Sequence, residues 1–238
     1  MSIRKKILAI SIGPVLVLGV ITLLFMLTMV KSSLMDEVQD ALKGTAAATL
    51  AAYDQNTGDY LESTNGDIWK GSYNISKSEN LVDRIKENTG MDVTFFYGNK
   101  RIMTSALDKK GNRILGSEAG ERVVNQVIKG KKPFFSTNVS LDGTRNYGYF
   151  IPVYQNGTTD QVIGMVFVGT NKAQKDAIVN KILGSIMMAL LVVMFLCIVT
   201  AMRMAASISK NIKNSVAVVG KLADGDFCLL YTSPSPRD

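Results

Sequence analysis

The chain has 238 residues, 27 Lys and Arg against 20 Asp and Glu for a formal net charge of +7, no His and two Cys. Without imidazole, every His-based catalytic or metal-binding scheme is excluded. The basic excess does not mark a nucleic-acid groove: residues 32–181 hold 18 Lys and Arg and 17 Asp and Glu, net +1, so +6 of the +7 lies in the flanks, where it suits anionic inner-membrane lipid.

Two apolar runs, residues 7–30 and 182–202, bracket the soluble-looking segment 31–181. Each exceeds the ~20 residues a helix needs to cross a bilayer and neither contains an ionised side chain, so both are predicted to span. Arg4, Lys5 and Lys6 precede the first run, and Arg203, Lys210, Lys213 and Lys221 follow the second. By the positive-inside rule residues 1–6 and 203 onward are expected in the cytoplasm and segment 31–181 outside, in a two-pass membrane protein. The first run is too long for a signal-peptide core and no small-x-small cleavage site precedes Lys31, which predicts an uncleaved anchor. Cys197 falls in the second span and Cys228 in the tail, so no disulfide staples the outer segment and its apolar core must suffice.

After Lys31, the positions Leu34, Val38, Ala41, Thr45, Ala48 and Ala52 recur at heptad-like spacing on one face of a helix leaving the membrane. Such a stripe can form a homodimer seam or pack on its own domain. Gly58, Asn65, Gly66 and Gly71 then break the pattern. Ser76 with Glu79 offers a capping box for a short helix carrying Leu81, Val82 and Ile85 and ended by Gly90. From Met91 the period falls to two, and residues 91–97 and 100–106 read as a hairpin across Gly98 and Asn99. Residues 117–128 return to helix, stopped by Gly130 with Pro133 beyond. Three strands are predicted at 134–141, 144–154 and 161–170, with turns at Asp142-Gly143 and Asn156-Gly157. Helices followed by about five mostly antiparallel strands make an α+β domain.

Scattered serines and carboxylates have no base beside them, there is no phosphate-binding glycine loop, and there are no paired metal-ligand motifs. The segment is therefore expected to bind rather than catalyse, without cofactor or metal. A ligand site on a sheet needs a few polar groups converging on an apolar wall. An arginine suits a carboxylate because its planar fork donates bidentately. Strand alternation puts Ser136 and Asn138 on one face of their strand, and Tyr147 and Tyr149 on one face of the next. Tyrosines make good pocket walls, with an apolar body and a polar tip.

Gly111, Asn112, Arg113, Gly116 and Ser117, then Val123, Val124, Val127 and Gly130, Phe134, Tyr147, Tyr149 and Pro152, and finally the run Ile163-Gly164-Met165-Val166-Phe167-Val168-Gly169 resemble the extracellular single Cache domain of bacterial chemoreceptors. The resemblance implies a PAS-like antiparallel sheet outside the cell, behind a long N-terminal helix, with a small-molecule ligand on its concave face and a signal passed to the following membrane helix. Arg101 followed by Thr104 is similar to the Arg-x-x-His pattern of citrate- and dicarboxylate-sensing relatives, with Thr in place of His, which counts against a citrate-like trianion. The ligand set implied is Arg101, Thr104, Ser136, Tyr147 and Tyr149. Arg113 is expected to be structural, and Trp69 to be packing, since the Arg-x-Trp-Tyr core of double Cache receptors is absent.

Beyond the second span, Ile208, Ile212, Val216, Val219 and Leu222 recur at helical spacing and run into Asp224-Gly225-Asp226-Phe227, which resembles the first helix of a HAMP linker over residues 203–227. Asn211 stands where many such linkers carry proline, and a second HAMP helix is missing. Residues 228–238 resemble translated sequencing-library adaptor and imply a truncated reading frame. The whole is similar to the sensory half of a methyl-accepting chemotaxis protein, a homodimer coupled to a kinase and its adaptor only through a cytoplasmic domain missing from this sequence. A sensor histidine kinase or diguanylate cyclase would use the same input.

Overall fold

The computed structural model describes residues 3–156 and 158–223, and divides them into two units, residues 3–30 with 182–223 and Lys31–Lys181. The first unit is helical. Helix α1, Ile3–Phe25, carries Pro14 and ends in a single π turn, Met26–Val30. Helix α5, Lys172–Ala223, supplies the other part. Both helices are long and apolar enough to cross a membrane. Large apolar side chains such as Leu18, 65% exposed, and Phe195, 66% exposed, are left largely uncovered by protein, as on a helix that faces lipid. Gly19 lets Met194 approach so closely that a Cβ there would collide with its sulfur, the small-residue contact common between membrane helices. The helical pattern from Ile208 to Leu222 is met by α5, whereas Asp224 to Phe227 and the tail 228–238 lie outside the described residues.

The second unit is a five-stranded antiparallel sheet of order β5-β4-β8-β7-β6 with a long helix, α2 (Lys31–Asp54), on one face. The strands are β4 Asp92–Tyr97, β5 Lys100–Thr104, β6 Phe134–Leu141, β7 Thr144–Tyr154 and β8 Val162–Asn171. They fall within a residue or two of the apolar alternations. The turn residues meet their backbone demands: Gly98 has φ +57° between β4 and β5, and Asp142 and Gly143 have φ +45° and +76°, both positive as a type I′ hairpin requires. Gly157 of the β7–β8 turn is outside the described residues.

The α2 face of the sheet holds the main core. Leu42, Ala46, Thr49 and Tyr53 of α2 are fully buried, with Val93, Phe95, Val166 and Val168 from the sheet in the same cluster. Tyr53 meets the Phe95 ring edge-on, centroids 5.2 Å apart, and Tyr60 stacks on Phe95 at 5.8 Å. The core row of α2 thus lies beside the heptad-like stripe rather than on it. Val38 and Thr45 are half-buried on their own domain, while Ala41 and Ala48 remain exposed.

Three local expectations are corrected. The capping box does not form: Ser78, not Ser76, is the N-cap of α3, Glu79–Thr89, and Ser76 Oγ instead accepts the Ile68 N–H at 2.9 Å. Ser78 Oγ donates to the Ile75 carbonyl at 2.7 Å and lies 2.9 Å from Tyr53 Oη, so the helix start is tied to α2 instead of to itself. A small antiparallel sheet, β1 Tyr60–Glu62, β2 Ile68–Lys70 and β3 Tyr73–Asn74, occupies what reads as broken helix. Finally, the helix expected at 117–128 starts only at Glu121 (α4, Glu121–Val123) and continues as a π turn, Val124–Lys129. Residues 116–119 run extended along the outer edge of β5, where Arg101 N–H donates to the Ser117 carbonyl and Ala119 N–H to the Asn99 carbonyl, both within 2.9 Å. Pairing an otherwise open sheet edge outweighs helix propensity there.

Candidate functional site

The sheet face away from α2 is covered only in part, by the short helical segment 121–129 with Val127 buried against it, and a cleft of about 530 Å³ opens beside that segment. Its floor depends on two glycines. Gly148 and Gly169 are partners across β7 and β8, and the Phe167 ring lies over both, so that a Cβ at Gly148 would stand 2.5 Å from Phe167 Cε2. Phe150 packs on Phe167 with centroids 4.7 Å apart, and Phe134 on Phe150 at 6.5 Å. Phe96, Val123 and Val139 complete an apolar wall.

Two irregularities bring polar groups to this wall. The β4–β5 register slips by one residue, pairing Phe95 with Met103 but Phe96 with Arg101. Arg101 thereby shares the cleft face with Phe96 and Thr104, although a regular strand puts residues three apart on opposite faces. A second bulge in β6, between Ser136 and Val139, turns Ser136, Thr137 and Asn138 toward the cleft. The extended 116–119 segment adds Glu118, and α4 adds Arg122, whose guanidinium lies 5.8 Å over the Phe134 ring.

Arg101 is the unusual member. It is 8% exposed, its Nη1 donates to the Ile114 carbonyl at 3.3 Å, and its guanidinium lies 5.3 Å over the Phe96 ring. Its Nε is buried with no acceptor, and among the described residues it makes no ion pair. Burial pulls its pKa below the ordinary guanidinium value, against a weaker opposing effect of Asp92. The group stays charged, because an arginine does not deprotonate in a protein. A buried cation with an orphaned donor in a cleft wall is a costly arrangement that an acceptor anion relieves.

The remaining residues of the sequence-derived set separate. Ser136 lines the cleft, half-buried. Thr104 is fully buried beneath it, its hydroxyl shared with Thr94 Oγ1 at 2.7 Å and accepting the Ala106 N–H at 3.1 Å, so it supports the strand and is not among the lining groups. Tyr147 and Tyr149 are not in the cleft at all. Ser136 pairs with Gly148, which fixes the tyrosines on either side of that glycine to the opposite, α2-facing core. Missed by sequence reading were Phe96, Phe134, Phe150 and Phe167, Glu118 and Arg122. Register alone assembles them, and the paired glycines were the one legible sign of a ring lying flat on the sheet.

Tyr147 instead faces the start of α5. Its hydroxyl donates to Asp176 Oδ1 at 2.6 Å, and burial, helped by that carboxylate, pushes its pKa up to about 12. Lys172, the first residue of α5, sits 5.2 Å over the Tyr147 ring and donates to the Thr137 carbonyl at 3.1 Å, within the cleft-lining bulge. Arg113 is structural, as expected: it grips Asp83 with two nitrogens at 2.9 and 2.6 Å and the Thr104 carbonyl at 2.7 Å, pinning the loop after β5 to α3. Among the described residues no cluster of three or more His, Cys, Asp or Glu is placed to hold a metal ion.

Residues 73–182 match the family described as single cache domain 3. A search of curated proteins gives no match. Among solved structures, an extracellular ligand binding receptor from Desulfohalobium retbaense DSM5692 is similar at 14% identity with a TM-score of 0.44, over 62% of this chain and 25% of that one. The chain thus spans a quarter of that receptor's length. Residues 73–182, which hold all five strands of the larger antiparallel sheet, are thus similar to a single cache domain.

Proposed function

We propose that Lys31–Lys181 is the outward-facing sensor of a two-pass chemoreceptor, and that it binds a small carboxylate through Arg101 with Ser136 and the β6 bulge beside it. The observation that carries this reading is the buried, unpaired Arg101 Nε in the wall of an aromatic cleft. A carboxylate accepting from the guanidinium edge supplies the missing acceptor and neutralises a charge held away from water. Thr104 serves as a brace for the arginine's strand, and the tyrosines serve the output side.

Ligand contact at the bulge is felt by α5, because Lys172 holds the Thr137 carbonyl and Asp176 holds Tyr147, both within the first turns of the helix that becomes the second membrane span. A shift of that helix is then relayed through the Ile208-to-Leu222 stripe to a cytoplasmic signalling partner. Dimerisation along the exposed Ala41 and Ala48 face of α2 gives such a shift a reference helix.

Titration of the full chain in lipid nanodiscs with a panel of carboxylates tests the assignment. Arg101→Ala should weaken a binding carboxylate by one to three decades, at about 1.4 kcal/mol per decade for a charge-assisted bidentate contact. Arg101→Lys should recover only part, since a point charge lacks the fork. Unchanged affinity in Arg101→Ala would overturn it.

A further inference from the structure

Resting on the carboxylate reading above, we infer that the ligand is a monocarboxylate with a bulky apolar body, best an aromatic ring, rather than a dicarboxylate or a bare short-chain acid. The charge inventory of the cleft sets the first limit. Its ionisable lining groups are Arg101, Arg122 and Glu118, a net of +1. Arg101 is the buried one, while Arg122 and Glu118 are exposed at the rim. One carboxylate is balanced by one desolvated guanidinium. A second would fall to Arg122, exposed at the rim over the Phe134 ring and sharing that rim with Glu118, where water screens the contact and no buried partner is offered.

The shape of the wall sets the second limit. Phe96, Phe134, Phe150 and Phe167 share one apolar cluster on this face. Phe96, Phe150 and Phe167 are buried, and the apolar side chains of this wall left open to the cleft are the half-buried Phe134, Val123 and Val139; with about 530 Å³ available, an acetate-sized anion would leave these facing water, whereas a ring-bearing acid would cover them. Geometry distributes the two ends. The Arg101 guanidinium lies 5.3 Å from the Phe96 ring centroid and its Nε has no protein acceptor, which places the carboxylate end at Arg101 and the body along the apolar wall. Phe134, the half-buried ring at the edge of this cluster, offers a face or edge for an aromatic body to pack offset or edge-on. The β6 hydroxyls and the Asn138 amide add polar groups along one side for orientation.

The test is a calorimetric titration of the full chain in nanodiscs with benzoate, 3-phenylpropionate, acetate, succinate and benzamide. At least one aryl carboxylate should bind ten or more times tighter than both acetate and succinate, and benzoate should exceed benzamide by a similar factor. Phe134→Ala, at the half-buried edge of the wall, should weaken the aryl acids several-fold and leave acetate unchanged. If Phe134→Ala perturbs folding, Val123→Asp at the rim should weaken aryl acids more than acetate. Succinate or acetate binding as tightly as the best aryl acid overturns this inference and leaves the carboxylate reading standing. Benzamide equal to benzoate, with Arg101→Ala silent, overturns the carboxylate reading itself. No binding by any carboxylate overturns both.

Discussion

Replacing Gly148 by alanine should destabilise the sensor, although glycine in a strand interior is ordinarily a weakness that alanine relieves by about 0.5–1 kcal/mol. The reversal follows from what stands above the glycine. The added Cβ would lie 2.5 Å from Phe167 Cε2 and 2.8 Å from Val139 Cγ2. Phe167 cannot yield sideways, because it is 1% exposed and held 4.7 Å from Phe150. The ring must lift off the sheet into the cleft, an overpacking cost of about 1–3 kcal/mol, or roughly 2–4 °C in Tm per kcal/mol for a domain of this size. A double-mutant cycle with Phe167→Leu isolates the collision: with the ring gone, alanine at 148 should cost little, giving a coupling of about 1 kcal/mol or more. Thermal and chemical denaturation of the four proteins reads the cycle, and ligand titration reads the cleft, which the lifted ring should narrow. Additive effects, or a stabilised Gly148→Ala, would show that no ring lies across these glycines.

Tyr147→Phe removes the hydrogen bond to Asp176 at a stability cost of about 1 kcal/mol, and should leave ligand affinity near wild type while altering receptor output in a reconstituted signalling assay. Loss of affinity without change in output would place the tyrosine in binding after all. Asp83→Asn should destabilise at neutral pH. Arg113 holds the Asp83 carboxyl below its ordinary value, so its contribution is present above the unfolded-state pKa and is lost as pH falls through the folded one. Asp83 is partly exposed and solvent-screened, so denaturation curves of variant and wild type should differ modestly at neutral pH and converge in acid; a constant gap would refute the linkage. Single cysteines at Ala41 and Ala48 should crosslink between subunits on oxidation, and cysteines at the buried Leu42 and Ala46 should not. A flat profile along α2 would refute the dimer seam.

Much of the fold was legible in the sequence because its signals are local. The apolar runs, the period-two segments 134–141, 144–154 and 161–170, the Asp142-Gly143 hairpin and the Gly90 helix stop each depend on residues adjacent in the chain, and the structure has all of them. Arg113 could be singled out as structural from the resemblance. The sequence alone could not choose the face on which a side chain sits, since one bulge inverts the alternation for everything beyond it. That slip at Phe95 and Phe96 brought Arg101 to the cleft, and the Ser136–Gly148 register sent Tyr147 and Tyr149 to the other core. Long-range competition settled the rest. Residues 116–119 gave up helix to pair the β5 edge, and Ser78 tied its helix to Tyr53 where Ser76 and Glu79 suggested a self-contained cap. Local propensity is worth tenths of a kcal/mol per residue, whereas a buried, unpaired backbone group costs whole ones, so sequence fixed the elements and tertiary structure decided the site.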